Sequence, residues 1–291
     1  MTWFFYVLLA TFIYGLINIL YKLGTRRNYS GLKLLHFQAL AVSIISLGTL
    51  VYTENLLVDT GTLKYLIIFA GLNSFFFASG TVLKITALRY IPVNIAMPLD
   101  KLNSVFVILI GIIFLGERPE LRQYLGMLLA FFTVLLLSST GKSKTAKDKE
   151  RRGKGIMIIV TAALVVSFSI TVGKLASTRV PKINYIFLSY TLVFIYTYLT
   201  KKFIINPQPV YKDIKIGIIF LGSTIGLLNF TGYYFILKAW ELGPLSLVQG
   251  IFSLSMVVSI IMARLFYNEK FTVKIVLAII TAFIAVFLIK G

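Results

Sequence analysis

Asp100 and Lys101 are adjacent charges inside an apolar segment, and Asp100 comes seven residues after Val93, where that segment begins. At ~1.5 Å of rise per residue this places the carboxylate about 10 Å into a membrane-crossing helix. A charge near the middle of such a helix costs ~2.5–3.5 kcal/mol, so it faces the bundle interior and takes a partner. Neighbouring residues point ~100° apart on a helix and pair poorly with each other. Asp100 is therefore expected to meet Lys22 or Lys84, and Lys101 a carboxylate or carbonyl from another helix. A pair of this kind either ties helices together or lines a cavity where a substrate or proton can open it. Pro98 stands two residues before Asp100. It has no amide hydrogen and crowds the carbonyl of Asn94, a defect of ~3 kcal/mol in a soluble helix interior. In hydrocarbon the freed carbonyl must face protein or a wet cavity. Asn103 adds one more polar group beside this break.

The second half of the chain repeats the pattern. A constant offset of 152 residues takes Lys22 to Lys174, Gly80 to Gly232, Ala87 to Ala239, Pro92 to Pro244 and Glu117 to Glu269. The same offset takes Pro98 to Gly250, which bares its backbone and bends easily. Gln249 and Ser253 flank it with polar groups. Paired helix interruptions at corresponding points of two repeats mark the substrate site of many secondary transporters, so Pro98 and Gly250 are the candidate hinges. Other polar residues fall on the same inward faces. Tyr14, Asn18 and Lys22 recur at a spacing of four and form one stripe on the first segment. Lys84 shares a face with Gly80 and Asn73, while Asn229, Tyr234 and Lys238 mark the eighth segment. Tyr14, Asn18, Lys22, Lys84, Asn229 and Tyr234, together with Asp100, Lys101, Asn103, Gln249 and Ser253, make up the candidate substrate-binding set. Lysines exceed acids along it, which mildly favours an anionic or zwitterionic substrate.

These residues need a scaffold, and the composition says which kind. Of 291 residues 58% are hydrophobic and 13% charged, with a mean hydropathy of +0.90. A soluble globular domain does not have that balance. Ten segments reach the ~20 apolar residues needed to cross the bilayer; they lie near 3–22, 34–52, 64–88, 93–115, 121–139, 155–173, 184–200, 216–238, 244–266 and 272–289. Five per copy is an odd number, so the second copy is inverted relative to the first. The expected fold is all-α: ten transmembrane helices in two inverted five-helix repeats, residues 1–139 and 155–291, around a central cavity. Helices 1, 3, 4, 6, 8 and 9 should enclose the cavity, with 5 and 10 as scaffold or dimer surface. Residues 140–154, polar and strongly basic, are expected to be a solvated linker. The first segment lacks a basic n-region and matches segment six, so it is expected to be a span and not a signal peptide.

The formal charge of +19 points to lipid headgroups and topology, not to nucleic acid, because the cations concentrate in the connecting loops. Loops on one face hold 19 of the 29 Lys and Arg, against 8 on the other. The positive-inside rule then places both termini outside the cytoplasm of a multi-pass cell (inner) membrane protein. One histidine and no cysteine leave no transition-metal cluster, and phosphate-binding loops and nucleophile elbows are missing. No enzyme, cofactor or metal is expected. Trp3, Trp240 and many of the 16 tyrosines are assigned to interfacial belts, Phe75–Phe77 to lipid or core packing, and His36 to the mouth of the second helix.

The stretch FLGERPELRQYLGMLLAFFTVLLL (114–137) resembles the close of the first repeat in the EamA-like branch of the drug/metabolite transporter superfamily, where a Gly-Glu ends the fourth helix. Its second copy, FYNEKFTVKIVLAIITAFIAVFLI (266–289), departs from the pattern, with Asn268 for Gly116 and Ala278 for Gly126. PLDKLN (98–103) and ILYKLG (19–24) look similar to a subgroup that includes half-length members. The resemblance implies two five-helix repeats and a transporter, and leaves the substrate open among amino acids, sugars, nucleotide sugars and lipophilic cations. Its better-known members are drawn with cytoplasmic termini, opposite to the charge count here. The expected function is gradient- or exchange-driven transport of a small polar or amphiphilic organic metabolite, the repeats rocking about the two hinges. The alternatives are a flippase for a lipid-linked sugar or headgroup, and a non-transporting membrane scaffold. The expected state is a monomer or homodimer in the lipid bilayer.

Overall fold

The structure is a computed structural model that describes residues 2–27, 29–53, 58–88, 90–91, 99–136, 146–204, 215–267 and 273–290. Its helices are α1 (Thr2–Arg26), α2 (Gly31–Tyr52), α3 (Thr60–Ala87), α4 (Leu102–Ile113), α5 (Leu121–Leu136) and α6 (Ala146–Ser177) in the first part of the chain. They are followed by α7 (Lys182–Ile204), α8 (Lys215–Leu242), α9 (Leu245–Ser253), α10 (Ser255–Tyr267) and α11 (Val273–Lys290). Helices α9 and α10 are two pieces of one membrane segment, so the described helices make ten segments, five from each repeat. Seven of these are long and apolar enough to cross a membrane over their described residues. The rest of the basic linker reading needs a change at its C-terminal end. Residues 146–154, rich in the helix formers Ala, Lys, Glu and Arg, are the first turns of α6 and not an irregular connection; residues 137–145 lie outside the described set.

The two repeats interlock. Helix α1 packs chiefly against α8, and its repeat mate α6 packs chiefly against α3. Likewise α2 lies on α8 and α7 lies on α3, while α2 meets α7 and α5 meets α11. Contacts between neighbouring helices of one repeat are sparse. The repeat-matched glycines sit in two of these cross-repeat seams. A Cβ on Gly80 would lie 2.5 Å from Val166 Cγ2 on α6, and one on Gly232 would lie 3.0 Å from Ile13 and Tyr14 on α1. Small residues let helix backbones approach closely where lipid supplies no hydrophobic driving force. Gly80→Leu is accordingly expected to destabilise the fold by ~1–3 kcal/mol, the usual overpacking range. The check is the melting temperature of purified protein, which an open α3–α6 seam would leave unchanged.

Helices α5 and α11 form a side pair, as expected of scaffold. Leu121, Leu125, Leu128 and Phe132 run down the outer face of α5, and Val276, Ile280, Phe283 and Phe287 down that of α11. The spacing of three and four residues gives each helix one continuous apolar stripe towards lipid.

Candidate functional site

Among the described residues, each repeat shows a helix break of the same local shape. Lys101, just before α4, has φ −71° and ψ −7°, and its carbonyl accepts from Ser104 N–H at 3.0 Å. Leu254, between α9 and α10, has φ −73° and ψ −3°, and its carbonyl accepts from Val257 N–H at 2.9 Å. These i→i+3 bonds tighten one turn and redirect the helix axis. The second break therefore falls at Leu254, four residues beyond the expected Gly250. Gly250 lies inside α9, where a Cβ would come within 3.1 Å of both Met127 and Ile289, so it serves close packing against α5 and α11. Pro98 lies outside the described residues.

The two breaks meet. Lys101 Nζ donates to Ser255 Oγ, the first residue of α10, at 3.3 Å. A hydroxyl thus stands where a carboxylate or carbonyl was expected. Asp100 pairs with Lys84 of α3, which selects between its two expected lysines. The side chain of Lys84 keeps 33% of its exposure and that of Asp100 13%, so the pair is partly accessible and not sealed. Around it, Gln249 Nε2 donates to Ser104 Oγ at 3.1 Å, and Ser104 Oγ donates to Asn103 Oδ1 at 3.2 Å. Gln249 Oε1 is buried without a partner. Ser253 Oγ donates to the Gly250 carbonyl at 2.7 Å, within its own helix.

The α1 stripe divides between two neighbours. Tyr14 Oη accepts from Asn229 Nδ2 of α8 at 3.4 Å, and the Tyr14 ring stands edge-on to Phe252 at 4.9 Å. Asn18 Nδ2 donates to Ser259 Oγ of α10 at 3.1 Å. Lys22 is exposed at the helix end. Tyr234 sits apart from this group, lining a cavity of about 660 Å³ at one end of the bundle with Lys238 and Glu241. This cavity opens between the residues just before α3, the α6–α7 connection and the end of α8, away from Asp100.

Several placements were not foreseen. Tyr185, Tyr190, Tyr233 and Trp240 are buried within the bundle, and the other three rings each pack on Tyr233 at 5.8–6.5 Å. His36 is wedged between α2 and α7, 3.0 Å from Thr197 Oγ1 and stacked on Phe194. Most informative is the α8–α9 turn. Glu117 accepts from the backbone amides of Leu245 and of Ser246, the latter at 2.8 Å. These are N–H groups that the start of α9 leaves unpaired. Lys174 donates to the carbonyls of Trp240 and of Gly243, the latter at 2.8 Å, and so closes the end of α8. Gly116, at φ +68°, ends α4 in the left-handed region that glycine adopts without strain, and this turn delivers Glu117 to its amides. The Gly-Glu of the first repeat is thus a helix stop followed by a helix cap. The matched pairs Lys22–Lys174 and Glu117–Glu269 were the signal that could have found it.

The fold and this site can now be set beside known proteins. A solved protein crystal structure superposes with a TM-score of 0.73 over 97% of this chain and 95% of its own, at 15% identity, which speaks for the fold alone. Among curated proteins, the chain is 34% identical over 71 residues to the probable 4-amino-4-deoxy-L-arabinose-phosphoundecaprenol flippase subunit ArnE of Hamiltonella defensa subsp. Acyrthosiphon pisum (strain 5AT), covering 24% of this chain and 64% of that protein. It is 36% identical over 59 residues to the protein of the same description from Yersinia pestis (strain Pestoides F), covering 20% of this chain and 52% of that one. The chain spans between half and two thirds of the length of these relatives. The EamA-like transporter family matches twice, over residues 1–139 and again over 153–291. With both halves matched, the chain belongs to the EamA-like transporter family, as a multi-pass membrane protein.

Proposed function

We propose that this chain is a secondary transporter for a small organic molecule with an anionic or zwitterionic group, working by alternating access at the point where its two helix breaks meet. The contact of Lys101 with Ser255 carries this reading, because it joins repeat-related interruptions beside a partly accessible Lys84–Asp100 pair. The packing favours moving parts other than the repeats themselves. One group consists of α1, α2, α8 and α10, and its repeat-related counterpart of α3, α4, α6 and α7. The break at Leu254 falls between α10, which lies on α1, and α9, which lies on α4. Bending there lets one group tilt against the other without opening either, a hinge motion of the kind that gates ligand access. Pro98 remains a candidate for the matching hinge.

A second reading is a flippase for a lipid-linked sugar, which the described activity of the two ArnE relatives favours. Proteoliposomes separate the two. Saturable uptake of a water-soluble anionic metabolite, lost in Asp100→Asn, supports the first. Translocation of a lipid-linked sugar without solute uptake replaces it with the second.

For orientation we take the face with the larger cation count as cytoplasmic, which puts the termini outside. Because the chain has no cysteine, single cysteines report cleanly. Ser143→Cys is expected to resist an impermeant maleimide in intact cells and Thr60→Cys to react. The reverse pattern overturns the orientation and leaves the fold in place.

A further inference from the structure

We infer that the end cavity is a binding site for the phosphoryl group of a phosphate monoester; this rests on the transport reading above. The cavity, about 660 Å³, falls in the ~300–1,000 Å³ range of sites for small organic ligands. Three cations from three elements line it: Arg179 in the α6–α7 connection, Lys182 at the start of α7, and Lys238 near the end of α8. Two carboxylates face them, and both are already engaged. Glu241 is shared by Lys182 at 2.7 Å and Lys238 at 3.1 Å. Asp59 caps α3, accepting from Thr62 N–H at 2.9 Å. Hydrogen bonds from the Thr62 side chain and backbone hold its carboxyl below the usual carboxylate range. Arg179 has no ion-pair partner among the described residues, and among the described lining residues cations outnumber carboxylates three to two.

The form of that surplus selects the ligand. A planar carboxylate is satisfied by one guanidinium fork, whereas a phosphoryl group offers three acceptor oxygens to donors that converge from several directions. The first turn of α7 also borders the cavity, and the positive end of the helix dipole favours an anion there. Leu50, Val58, Val180 and Ile183 complete the wall, an apolar flank suited to the organic part of an ester. The site lies at the ends of α2, α6 and α8, where membrane helices meet the headgroup layer. Both a water-soluble phosphate ester and a phospholipid headgroup can reach it.

The test is binding to the purified full chain in a neutral detergent, by calorimetry, with two phosphate monoesters as probes. Glycerol 3-phosphate represents the soluble source and dihexanoyl phosphatidic acid the lipid source. At least one should bind saturably, and Kd should rise about tenfold or more in Arg179→Gln and in Lys238→Gln, the loss expected for one charge-assisted contact. Lys64→Gln, which removes a charge elsewhere on this face, should leave Kd unchanged. Tighter binding of the phosphatidic acid assigns a lipid headgroup, and equal binding a soluble ester; each supports the site. Binding of inorganic phosphate alone, or of neither ester at millimolar concentration, overturns it. So does a Kd that ignores both cavity substitutions. Binding without any flux in proteoliposomes would sink the transport reading and leave the site standing. Flux with unchanged KM in Arg179→Gln, with no ester bound, would sink the site alone.

Discussion

Asp100→Asn is expected to reduce transport by an order of magnitude or more while the protein still reaches the membrane. The substitution keeps size and most hydrogen-bonding capacity and removes only the charge. Lys84 then faces the helix break without its counter-ion. Breaking a fully buried pair costs ~3–5 kcal/mol because one charge is stranded. Here the Lys84 side chain retains a third of its exposure, so the pair falls short of full burial and the fold should survive. Transport suffers more, since the carboxylate stands one residue from the break that touches α10. Lys84→Gln combined with Asp100→Asn should restore wild-type stability, because no stranded cation remains, and should not restore flux. Uptake in proteoliposomes and melting temperature together decide the matter. Wild-type uptake by Asp100→Asn, or recovery of flux in the double variant, would show that the pair only ties α3 to the start of α4.

Glu117→Ala is expected to be the most destabilising single change at the α8–α9 turn. It removes the acceptor for two amides at the start of α9, in a place where water replaces it poorly. Hydrogen bonds to a charged group contribute ~1.5–3 kcal/mol each, so a loss of about 3 kcal/mol is a fair expectation after partial relaxation. Glu117→Gln retains one acceptor oxygen without the charge and should fall between the two. Lys174→Gln loosens the same turn from its other side, at the carbonyls of Trp240 and Gly243. The effects of Glu117→Ala and Lys174→Gln should then be less than additive, since either change frees the turn they share. Thermal unfolding of the two single variants and the double variant measures this. Strict additivity, or a Glu117→Ala variant as stable as the parent, would show that the turn holds by packing alone.

How far the sequence could be read depends on what a repeat encodes. The offset that pairs Gly80 with Gly232 states which positions are equivalent, and equivalence was enough to count segments and anticipate one break per repeat. It says nothing about which helix each position touches, so the α3–α6 and α1–α8 seams had to come from the structure. The second break was anticipated near Gly250, since glycine bends easily, but backbone freedom does not force a bend. At Gly250 the neighbours Met127 and Ile289 use the missing side chain for contact, and the turn falls at Leu254. Depth in the segment made Asp100 legible and narrowed its partner to two lysines; only geometry separates a lysine on α3 from one at the exposed end of α1. The tyrosines were legible only on average, since composition does not say which of them, like Tyr185 and Tyr233, pack against other helices. The capping role of Glu117 escaped notice because a carboxylate in a loop looks solvated until the amides it meets, 128 and 129 residues along the chain, are in place.

The interlocking of the repeats sets a timetable for biogenesis. Helix α1 ends at Arg26, but α8, its principal neighbour, is complete only at Leu242. At about 5–20 residues per second, a ribosome needs roughly 10–40 s to make the chain between them. Throughout that interval α1, with Tyr14 and Asn18 on its flank, sits in the bilayer without its principal neighbour, while α2 can already meet α7 once Ile204 is made. The first repeat has few contacts of its own to close on while it waits.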